Sequence, residues 1–373
     1  MKILFICGCL EPGKDGVGDY TRRLAGELIK NGHEINMLSL NDHFLLKDNY
    51  LEQVQALIPV IRIRLGKNRV QTLGLVKRKI EELDPEWLSL QYVPFSFHLN
   101  GLPLKLAHKL SRLAKGRCWH IMFHELWVGI DKEAKFKHLA LGTLQKFIIN
   151  SMVKTLKPKI IHTQSNVYLQ RLDEMNFTNT GILSLFGNIP VTNNGEVKKR
   201  NSSSISQEYE MVIFGTIHPG APLEDFVQDV VNFSKRMNIN PILTLIGICG
   251  NEQERLIKIC LNAGLPLRVL GEQSPEKISQ TLAQSSLGIS TTPLGQIEKS
   301  GTVASMLEHS LPVICVARSW TPKIKTKVET PAGIFQYKTS QFETFFLVKK
   351  KNKQSTSLAL VAIKFVSSLY SVN

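Results

Sequence analysis

Short β-branched apolar runs alternate along most of the chain with longer segments whose apolar residues follow a helical period. This alternation is typical of βαβ units and predicts parallel sheets. Strands are expected at 2–7, 34–40, 60–63, 87–92, 120–123 and 160–163, and then at 210–215, 241–247, 267–270, 287–291 and 312–316. Helices are expected at 18–31, 68–83, 102–115, 135–156 and 165–175, and then at 222–237, 251–263, 275–284 and 300–310.

A polar segment at 187–208, rich in Asn, Ser and Lys, separates the two alternating halves and is the best linker in the chain. The pattern therefore predicts two α/β domains rather than one. Their bounds are expected at 1–190 for the first domain, 191–208 for the linker and 209–350 for the second domain. The remaining residues, 351–373, have a helical apolar stripe and are expected to pack back on the body.

The first ten residues, MKILFICGCL, are interpreted as a buried strand and not as a signal peptide, because no small-residue cleavage site follows them. No run of about 18 apolar residues occurs, which argues against a spanning helix. The six cysteines form no C-x-x-C pair, so neither a zinc site nor a disulfide framework is expected. These features predict a cytoplasmic protein, with peripheral attachment to the inner face of the membrane as a further expectation.

The chain is basic, with 46 Lys and Arg against 31 Asp and Glu and a net charge of +15, which favours anionic partners. Residues 62–79 carry seven Lys or Arg and no acidic residue, and 102–115 pairs a basic stripe with a leucine stripe. Both segments are candidates for an anionic membrane surface, the alternative being solvated faces with the leucines in the core. Exposed aromatics between basic residues are missing, so no nucleic-acid partner is predicted.

Three glycines, Gly13, Gly16 and Gly18, follow the first strand and precede a helical pattern. A glycine-rich turn at this place lets a ligand approach the backbone at a helix start. The spacing G-x-x-G-x-G is not the dinucleotide fingerprint. Asp19 is expected near the helix start, where capping of backbone amides is the alternative to a role with the ligand.

The segment from Glu298 to Thr302 predicts a second anion site. It follows the strand at 287–291 and begins a helix whose first amides carry positive potential, with Lys299 adding a full charge and Ser300 and Thr302 adding hydroxyls. The spacing excludes a Walker A loop, since Glu298 precedes Lys299. The alternative is that Ser300 only caps the helix.

Taken in order, several motifs resemble the two-domain nucleotide-sugar glycosyltransferases of the GT-B architecture, especially the retaining family 4 group. They are MKILFICG, GVGDYTRRLAGELIKNGHEI, SLQYVP, IMFHELW, LSLFGNIPV, VIFGTIHPG, LTLIGICG, VLGEQSPEKISQTLAQSSLGIS and the stretch 298–316, and they span about residues 1–335. The resemblance implies two Rossmann-like domains with parallel sheets facing each other across a cleft. The first would hold the sugar acceptor, and the second the nucleotide sugar.

The resemblance also assigns residues. Gly16 and Gly18 match the loop that faces the donor phosphates, and His124 matches a position where such enzymes place a catalytic or sugar-contacting histidine. Glu298 falls near the first carboxylate of the family's paired-glutamate motif. The loop after the first strand of the donor domain matches 215–220. The implied donor-binding residues are Gly16, Gly18, Gly215, Thr216, His218, Glu298, Lys299, Ser300, Gly301 and Thr302.

Two departures from the family pattern stand out. Ser305, and not a glutamate, occupies the second carboxylate position, with Glu308 one helical turn further on. The loop TIHPG lacks the Arg and Lys that usually clamp the pyrophosphate, so Lys299 and the helix start would carry more of that work. Whether the anomeric configuration is retained, and whether Glu308 replaces the missing carboxylate, stay open.

We expect transfer of a sugar from a nucleoside-diphosphate sugar to an acceptor hydroxyl, in polysaccharide, glycolipid or other glycoconjugate synthesis. Lys299, the amides of Gly301 and Thr302 and the Ser300 hydroxyl would stabilise the leaving diphosphate. Neither a metal nor a cofactor is predicted, because no D-x-D element is present. The sugar acceptor would be a saccharide or a lipid-linked molecule.

The sugar acceptor needs a proton acceptor or polarising group, for which His124, Glu125 and Asp19 are the candidates. A structural role at the end of a strand is the alternative for His124, and a surface role is the alternative for Glu125. A nucleotide-sugar epimerase or hydrolase on the same fold, or a non-catalytic binding protein, are the alternatives for the whole chain.

Overall fold

The computed structural model describes residues 1–45, 50–55, 57–64, 69–113, 116–192, 208–323, 329–346 and 357–372. The chain divides into two compact units, the first formed by Met1–Ser184, Pro322–Lys325 and Leu358–Asn373 and the second by Leu185–Thr321 and Thr326–Ser357. Most of the linker predicted at 191–208 lies outside the described residues.

The first unit is built on a sheet that, in the described part of the chain, has eight strands in the order β3-β4-β2-β1-β5-β6-β7-β8. The strands are β1 (Lys2–Cys7), β2 (Glu34–Ser39), β3 (Tyr50–Gln55), β4 (Ile58–Ile63), β5 (Trp87–Tyr92), β6 (Cys118–Phe123), β7 (Ile160–Thr163) and β8 (Thr180–Ile182). All neighbours pair in parallel except β3, which runs antiparallel to β4.

The helices of the first unit connect these strands and cover the sheet. They are α1 (Gly16–Lys30), α2 (Arg69–Leu83), α3 (Pro94–Phe97), α4 (Leu106–Leu113), α5 (Phe136–Leu156) and α6 (Asn166–Asp173). The long helix α5 ends where Lys157 adopts a left-handed conformation with φ 47° and donates its amide hydrogen to Val153 O.

The second unit repeats the plan with six described strands, all parallel, in the order β11-β10-β9-β12-β13-β14. The strands are β9 (Glu208–Phe214), β10 (Asn240–Ile246), β11 (Leu267–Gly271), β12 (Leu287–Ser290), β13 (Val313–Cys315) and β14 (Ile334–Gln336). Its helices are α7 (Leu223–Met237), α8 (Gln253–Ala263), α9 (Pro275–Gln284), α10 (Gly301–Glu308) and α11 (Glu343–Phe346), with a 3-10 helix at Leu294–Lys299.

Inner strands are buried on both faces, as β5 and β12 show over their whole length. Such strands appear in the sequence as nearly continuous apolar runs, which is why they could be predicted. Among the described parallel strands of each sheet, the strand order reverses once, between β1 and β5 in the first unit and between β9 and β12 in the second. Open α/β sheets bind ligands outside the carboxyl ends of the strands at such a reversal.

The last helix, α12 (Leu358–Tyr370), belongs to the first unit although its sequence follows the second. The Phe365 ring is fully buried and stacks on Phe5 of β1 with ring centroids 5.8 Å apart. It also contacts His120 of β6 edge-on at 5.1 Å. The tail helix was expected to pack back on the body, and it packs on the first sheet. Residues 351–356 lie outside the described part.

The predicted α/β fold with two parallel sheets is confirmed, and three strands are additional. β3 is an exposed antiparallel edge strand with no apolar run, and β8 and β14 have three residues each. The helix expected at 102–115 begins only at Leu106, because Pro103 disfavours helical geometry at the residue before it. Residues 114 and 115 lie outside the described part.

Candidate functional site

In the second unit the loop after β9 is tied to the end of β12. The amide of His218 donates to Thr291 Oγ1 at 2.8 Å, and the Thr291 hydroxyl donates to Thr216 O at 3.4 Å. Gly215 begins the loop with φ +80°, a conformation that favours glycine. The loop therefore stands at the carboxyl edge of the sheet, where the strand order reverses.

The helix α10 begins at the same edge, directly after the 3-10 helix at Leu294–Lys299. Ser300 is its N-cap: the Ser300 hydroxyl accepts from the amide of Val303 at 3.4 Å and lies 3.1 Å from Thr302 Oγ1. The first amides of a helix have no acceptor inside the helix, and they carry its positive potential. Ser300 satisfies the amide of Val303, so the cap leaves those of Gly301 and Thr302 for another acceptor.

The loop after β9 and the start of α10 are in contact. A Cβ added at Gly215 would lie 2.8 Å from Thr302 Cγ2, closer than real side chains allow. The structure thus brings together residues predicted from two distant parts of the second unit. They are Gly215, Thr216 and His218 on one side and Ser300, Gly301 and Thr302 on the other, with Glu298 and Lys299 in the preceding 3-10 turn.

Arg318, which the sequence analysis did not single out, stands beside the same loop. It follows β13 and is exposed, and its Cδ would lie 3.4 Å from a Cβ added at Gly220. Burial lowers the pKa of His218, and the positive charge of Arg318 lowers it further. The loop TIHPG has no Lys or Arg of its own, but the aliphatic part of Arg318, which follows β13, lies beside it.

Ser305 and Glu308 are used for packing and anchoring. Ser305 is fully buried, and its hydroxyl donates to Gly301 O at 2.9 Å. A Cβ added at Gly187 would lie only 2.6 Å from Ser305 Cα, and the Gly187 amide donates to Glu308 Oε1 at 2.9 Å. Next to Gly301 lies Asn188, whose buried Oδ1 has no hydrogen-bond partner among the described residues.

In the first unit the glycine segment differs from the prediction. Helix α1 begins at Gly16, and its cap is Asp15, whose carboxylate accepts from the amides of Val17 at 2.8 Å and Gly18 at 3.3 Å. Capping by Asp19 was therefore wrong, because the helix starts earlier. Asp19 lies in the first turn, where it pairs with Arg22 at 2.6 Å and accepts from the amide of Gly13 at 3.1 Å.

A buried ion pair holds the chain just before that helix. Arg62 Nε donates to Asp42 Oδ2 at 2.7 Å, and Arg62 also pairs with Glu11. Asp42 in turn accepts from the amide of Leu10 at 3.1 Å. Burial raises the pKa of Asp42, but its hydrogen bonds, above all from Arg62, outweigh this and hold it below its ordinary value.

The basic residues of the segment 62–79, a candidate for an anionic membrane surface, do not all lie on the surface. Arg62 lies inside the unit because it neutralises Asp42, and Lys79 is paired with Glu52 and Glu82 at 2.8 Å each. Residues 65–68 lie outside the described part. In 102–115, by contrast, Lys105 and Arg112 are exposed as expected.

His124 directly follows β6 and is buried, with 5% of its surface exposed. Its Nε2 lies 2.8 Å from Gln91 Oε1, and its Nδ1 lies 3.0 Å from Gln164 Nε2. Tyr20, which follows Asp19 in α1, meets the imidazole edge-on at 5.0 Å. The candidates His124 and Asp19 thus belong to neighbouring segments of one unit, and Glu125 is exposed beside them.

The hydrogen bonds of His124 continue into the sheet. Gln91 Nε2 donates to Ser89 Oγ at 2.8 Å, Ser89 Oγ lies 2.8 Å from His120 Nδ1, and His120 Nε2 lies 3.0 Å from His162 Nδ1. Burial lowers the pKa of His162 to about 4, with the charge of Lys364 adding to the effect. Burial also holds the pKa of His120 well below its ordinary value.

Among the described residues, no three His, Cys, Asp or Glu side chains come together as metal ligands would. Nor does any helix in the described ranges combine the length and the apolar character needed to cross a membrane.

No protein-family model and no curated protein sequence matches the chain, but solved structures do. The Anabaena protein HepE, in complex with UDP and glucose, aligns over 100% of both chains with a TM-score of 0.63 and 15% identity. The catalytic domain of starch synthase IV from Arabidopsis thaliana, bound to ADP and acarbose, aligns over 100% of this chain and 99% of its own with a TM-score of 0.59 and 12% identity.

The chain has the GT-B fold. The same architecture is found in a protein from Listeria monocytogenes described as a UDP-N-acetylglucosamine 2-epimerase, which aligns over 99% of this chain and 96% of its own. Its TM-score is 0.58 at 10% identity. At such identities the GT-B likeness establishes the architecture, and the chemistry has to be argued from the residues of this chain.

A left-handed backbone conformation costs an L residue about 1–2 kcal/mol. We expect Gly215→Ala to lower the free energy of unfolding of the second unit by more than this. The reason is the added contact with Thr302 Cγ2. Gly271→Ala is the matched control, because Gly271 has φ +66° and nothing within 4 Å of its added Cβ. In urea unfolding, Thr302→Ser should restore part of the loss in Gly215→Ala. No restoration would mean that the two segments are not in contact.

We also expect stability to fall in acid through His162. Its pKa is about 4 in the folded protein against about 6.5 unfolded, so the unfolded chain binds more protons between these values. The free energy of unfolding should therefore drop as the pH falls from 7, by about 2 kcal/mol at pH 5 from this group.

Calorimetry at pH 7 and pH 5 checks this with the variant His162→Gln. Between these two pH values, the unfolding midpoint of the variant should fall less than that of the wild type. His43→Gln, at an exposed histidine, is the control and should behave like the wild type. An equal fall in all three proteins would contradict the assignment.

Proposed function

We propose that the protein is a glycosyltransferase that moves a sugar from a nucleoside-diphosphate sugar to an acceptor hydroxyl. The observation that carries the proposal is the contact between the loop after β9 and the start of α10 at the carboxyl edge of the second sheet. The GT-B fold is compatible with it, and two structures of that fold contain UDP with glucose, and ADP. A role of this sugar transfer in polysaccharide or glycolipid synthesis belongs to the same proposal.

The leaving group sets the chemistry. When the bond between the anomeric carbon and the diphosphate oxygen breaks, negative charge develops on the diphosphate, and donors that are already oriented stabilise it best. We assign this role to Lys299, to the amides of Gly301 and Thr302 and to the Ser300 hydroxyl. Arg318 adds a second cation on the other side of the loop, replacing the basic residues that TIHPG lacks.

The first unit would hold the sugar acceptor. Gly16 and Gly18 are proposed as donor-binding residues, as the family resemblance implies. His124, Glu125 and Asp19 are the proposed groups for activating the acceptor hydroxyl. His124 and Glu125 directly follow β6, and Asp19 lies in the first turn of α1.

We expect Lys299→Ala and Arg318→Ala each to weaken UDP binding by about 10–10²-fold, since hydrogen bonds to charged groups contribute about 1.5–3 kcal/mol. Uridine, which has no phosphate, should bind the wild type and both variants equally. Titration calorimetry measures both ligands, and Lys258→Ala, at an exposed lysine of α8, is the control. Turnover should fall by about 10²–10³-fold in Lys299→Ala.

If Lys299→Ala and Arg318→Ala weaken the binding of UDP and of uridine equally, neither cation contacts the phosphates. If Lys299→Ala keeps wild-type turnover with its fold intact, the start of α10 has no part in the reaction. The nucleotide is chosen beforehand by the rise in unfolding midpoint with UDP, GDP, ADP, TDP or CMP.

An epimerase or hydrolase is the second candidate, favoured by the fold shared with the Listeria protein. Either would consume the nucleotide sugar without a sugar acceptor, whereas a transferase releases nucleoside diphosphate faster when the right acceptor is present. A non-catalytic binding protein would bind the nucleotide and release nothing. Measuring nucleoside diphosphate and remaining donor, with and without acceptors, separates the three.

We also propose peripheral attachment to an anionic membrane, which would fit a lipid-linked sugar acceptor. Besides Lys105 and Arg112, the first unit exposes Phe136 and Phe147 of α5, at 85% and 65%. Basic and apolar side chains together favour an anionic lipid surface. In flotation, the wild type should rise with anionic vesicles and a Lys105→Glu, Arg112→Glu variant should not. Equal recovery with neutral vesicles would contradict the proposal.

A further inference from the structure

The hydrogen bonds of His124 determine which of its nitrogens carries the hydrogen. Gln164 offers its amide nitrogen to His124 Nδ1 at 3.0 Å, and an amide nitrogen only donates. With the amide groups of Gln164 and Gln91 oriented in this way, the Nδ1 atom accepts. In the neutral ring the hydrogen is then on Nε2, from which it is donated to Gln91 Oε1 at 2.8 Å.

The direction of these bonds continues through the sheet. Gln91 donates its amide hydrogen to Ser89 Oγ, so the Ser89 hydroxyl is free to donate to His120 Nδ1. His120 then donates from Nε2 to His162 Nδ1. In this arrangement each of the five hydrogen bonds between Gln164 and His162 runs from a donor to an acceptor, and every member is at least 95% buried. Hydrogen bonds in a buried chain strengthen one another.

Burial makes a charge in this chain costly. The pKa of His162 is lowered to about 4 and that of His120 is lowered well below its ordinary value, so both rings are neutral at pH 7. His124 has no free nitrogen lone pair, since Nδ1 accepts from Gln164 and Nε2 holds a hydrogen. To take a proton, it would have to break the bond to Gln164.

We propose that Gln91 and Gln164 are positioning residues that hold His124 as the neutral Nε2–H tautomer, and that Glu125, not His124, takes the proton of the sugar acceptor. This rests on the proposed transferase function. Glu125 follows His124 directly and is exposed, and no hydrogen bond or ion pair joins its carboxylate to a described residue. The backbone beneath it is held, since the amides of His124 and Glu125 both donate to Tyr92 O, at 3.1 and 3.4 Å.

The proton and electron balance is simple. The acceptor hydroxyl gives its proton to the Glu125 carboxylate as its oxygen bonds to the anomeric carbon. The bond from that carbon to the diphosphate oxygen breaks, and its electron pair leaves with the diphosphate. His124 gains and loses no proton in this step; it fixes the place at which Glu125 leaves the sheet.

Nitrogen NMR of the histidine rings tests the tautomer without any enzymatic assay. In the wild type at pH 7, His124 should show a bare Nδ1 and a protonated Nε2, its signals being assigned by their loss in His124→Gln. In Gln164→Glu, the carboxylate accepts instead of donating, so Nδ1 should become protonated. A wild-type ring that is protonated at Nδ1, or that exchanges between tautomers, overturns the proposal. If His124→Gln fails to fold, the change of the His124 signals in Gln164→Glu provides the assignment instead.

The dependence of kcat on pH tests the proton acceptor. His124→Gln should keep the fall in kcat at low pH that the wild type shows. Glu125→Gln should lose that fall and lower kcat by about 10²–10⁴-fold. Loss of the acid limb in His124→Gln alone would overturn the proposal. Absence of turnover with every nucleotide sugar would refute the transferase function instead, and the NMR result would still decide the tautomer.

Discussion

Parallel sheets confine chemistry to one edge, and in the second unit the shape of that edge depends on two glycines. The inner strands are buried on both faces, so side chains that meet a ligand stand where strands end. The loop after β9 reaches α10 only because Gly215 has no side chain to meet Thr302, and Gly187 allows the same approach to Ser305. The proposed contacts of Ser300, Gly301 and Thr302 to the leaving diphosphate depend on the position that these two approaches give to α10.

The start of α10 also shows that capping and anion binding are compatible. Ser300 caps the amide of Val303, as the plainer interpretation of the segment required. That hydrogen bond uses one of the first amides and leaves those of Gly301 and Thr302 for a phosphate. Glu308, the candidate for the missing carboxylate, accepts a hydrogen bond from the amide of Gly187. Its carboxylate therefore anchors the segment at Gly187 to α10.

Periodicity was sufficient for the buried elements and insufficient for the exposed ones. Strands such as β1 and β5 are continuous apolar runs, whereas β3 alternates half-buried and exposed residues at a sheet edge and carries no such signal. Single-residue choices were harder, since Asp15 and Asp19 both suit a helix cap and only the start of α1 decides between them. Arg318 was missed because its place beside His218 arises from strand order, which local patterns do not contain.

The buried chain from Gln164 to His162 has the same origin in strand order, and its purpose is better explained by orientation than by stability. Alternation puts Ser89 and Gln91 on one face of β5, register sets His120 beside Ser89, and Phe365 of the last helix seals His120 from water. Replacing both partners of a buried hydrogen bond by apolar groups of the same shape is often neutral. An apolar stripe would therefore hold this sheet as well, but it would leave His124 free to turn, and the backbone that carries Glu125 would lose its fixed neighbour.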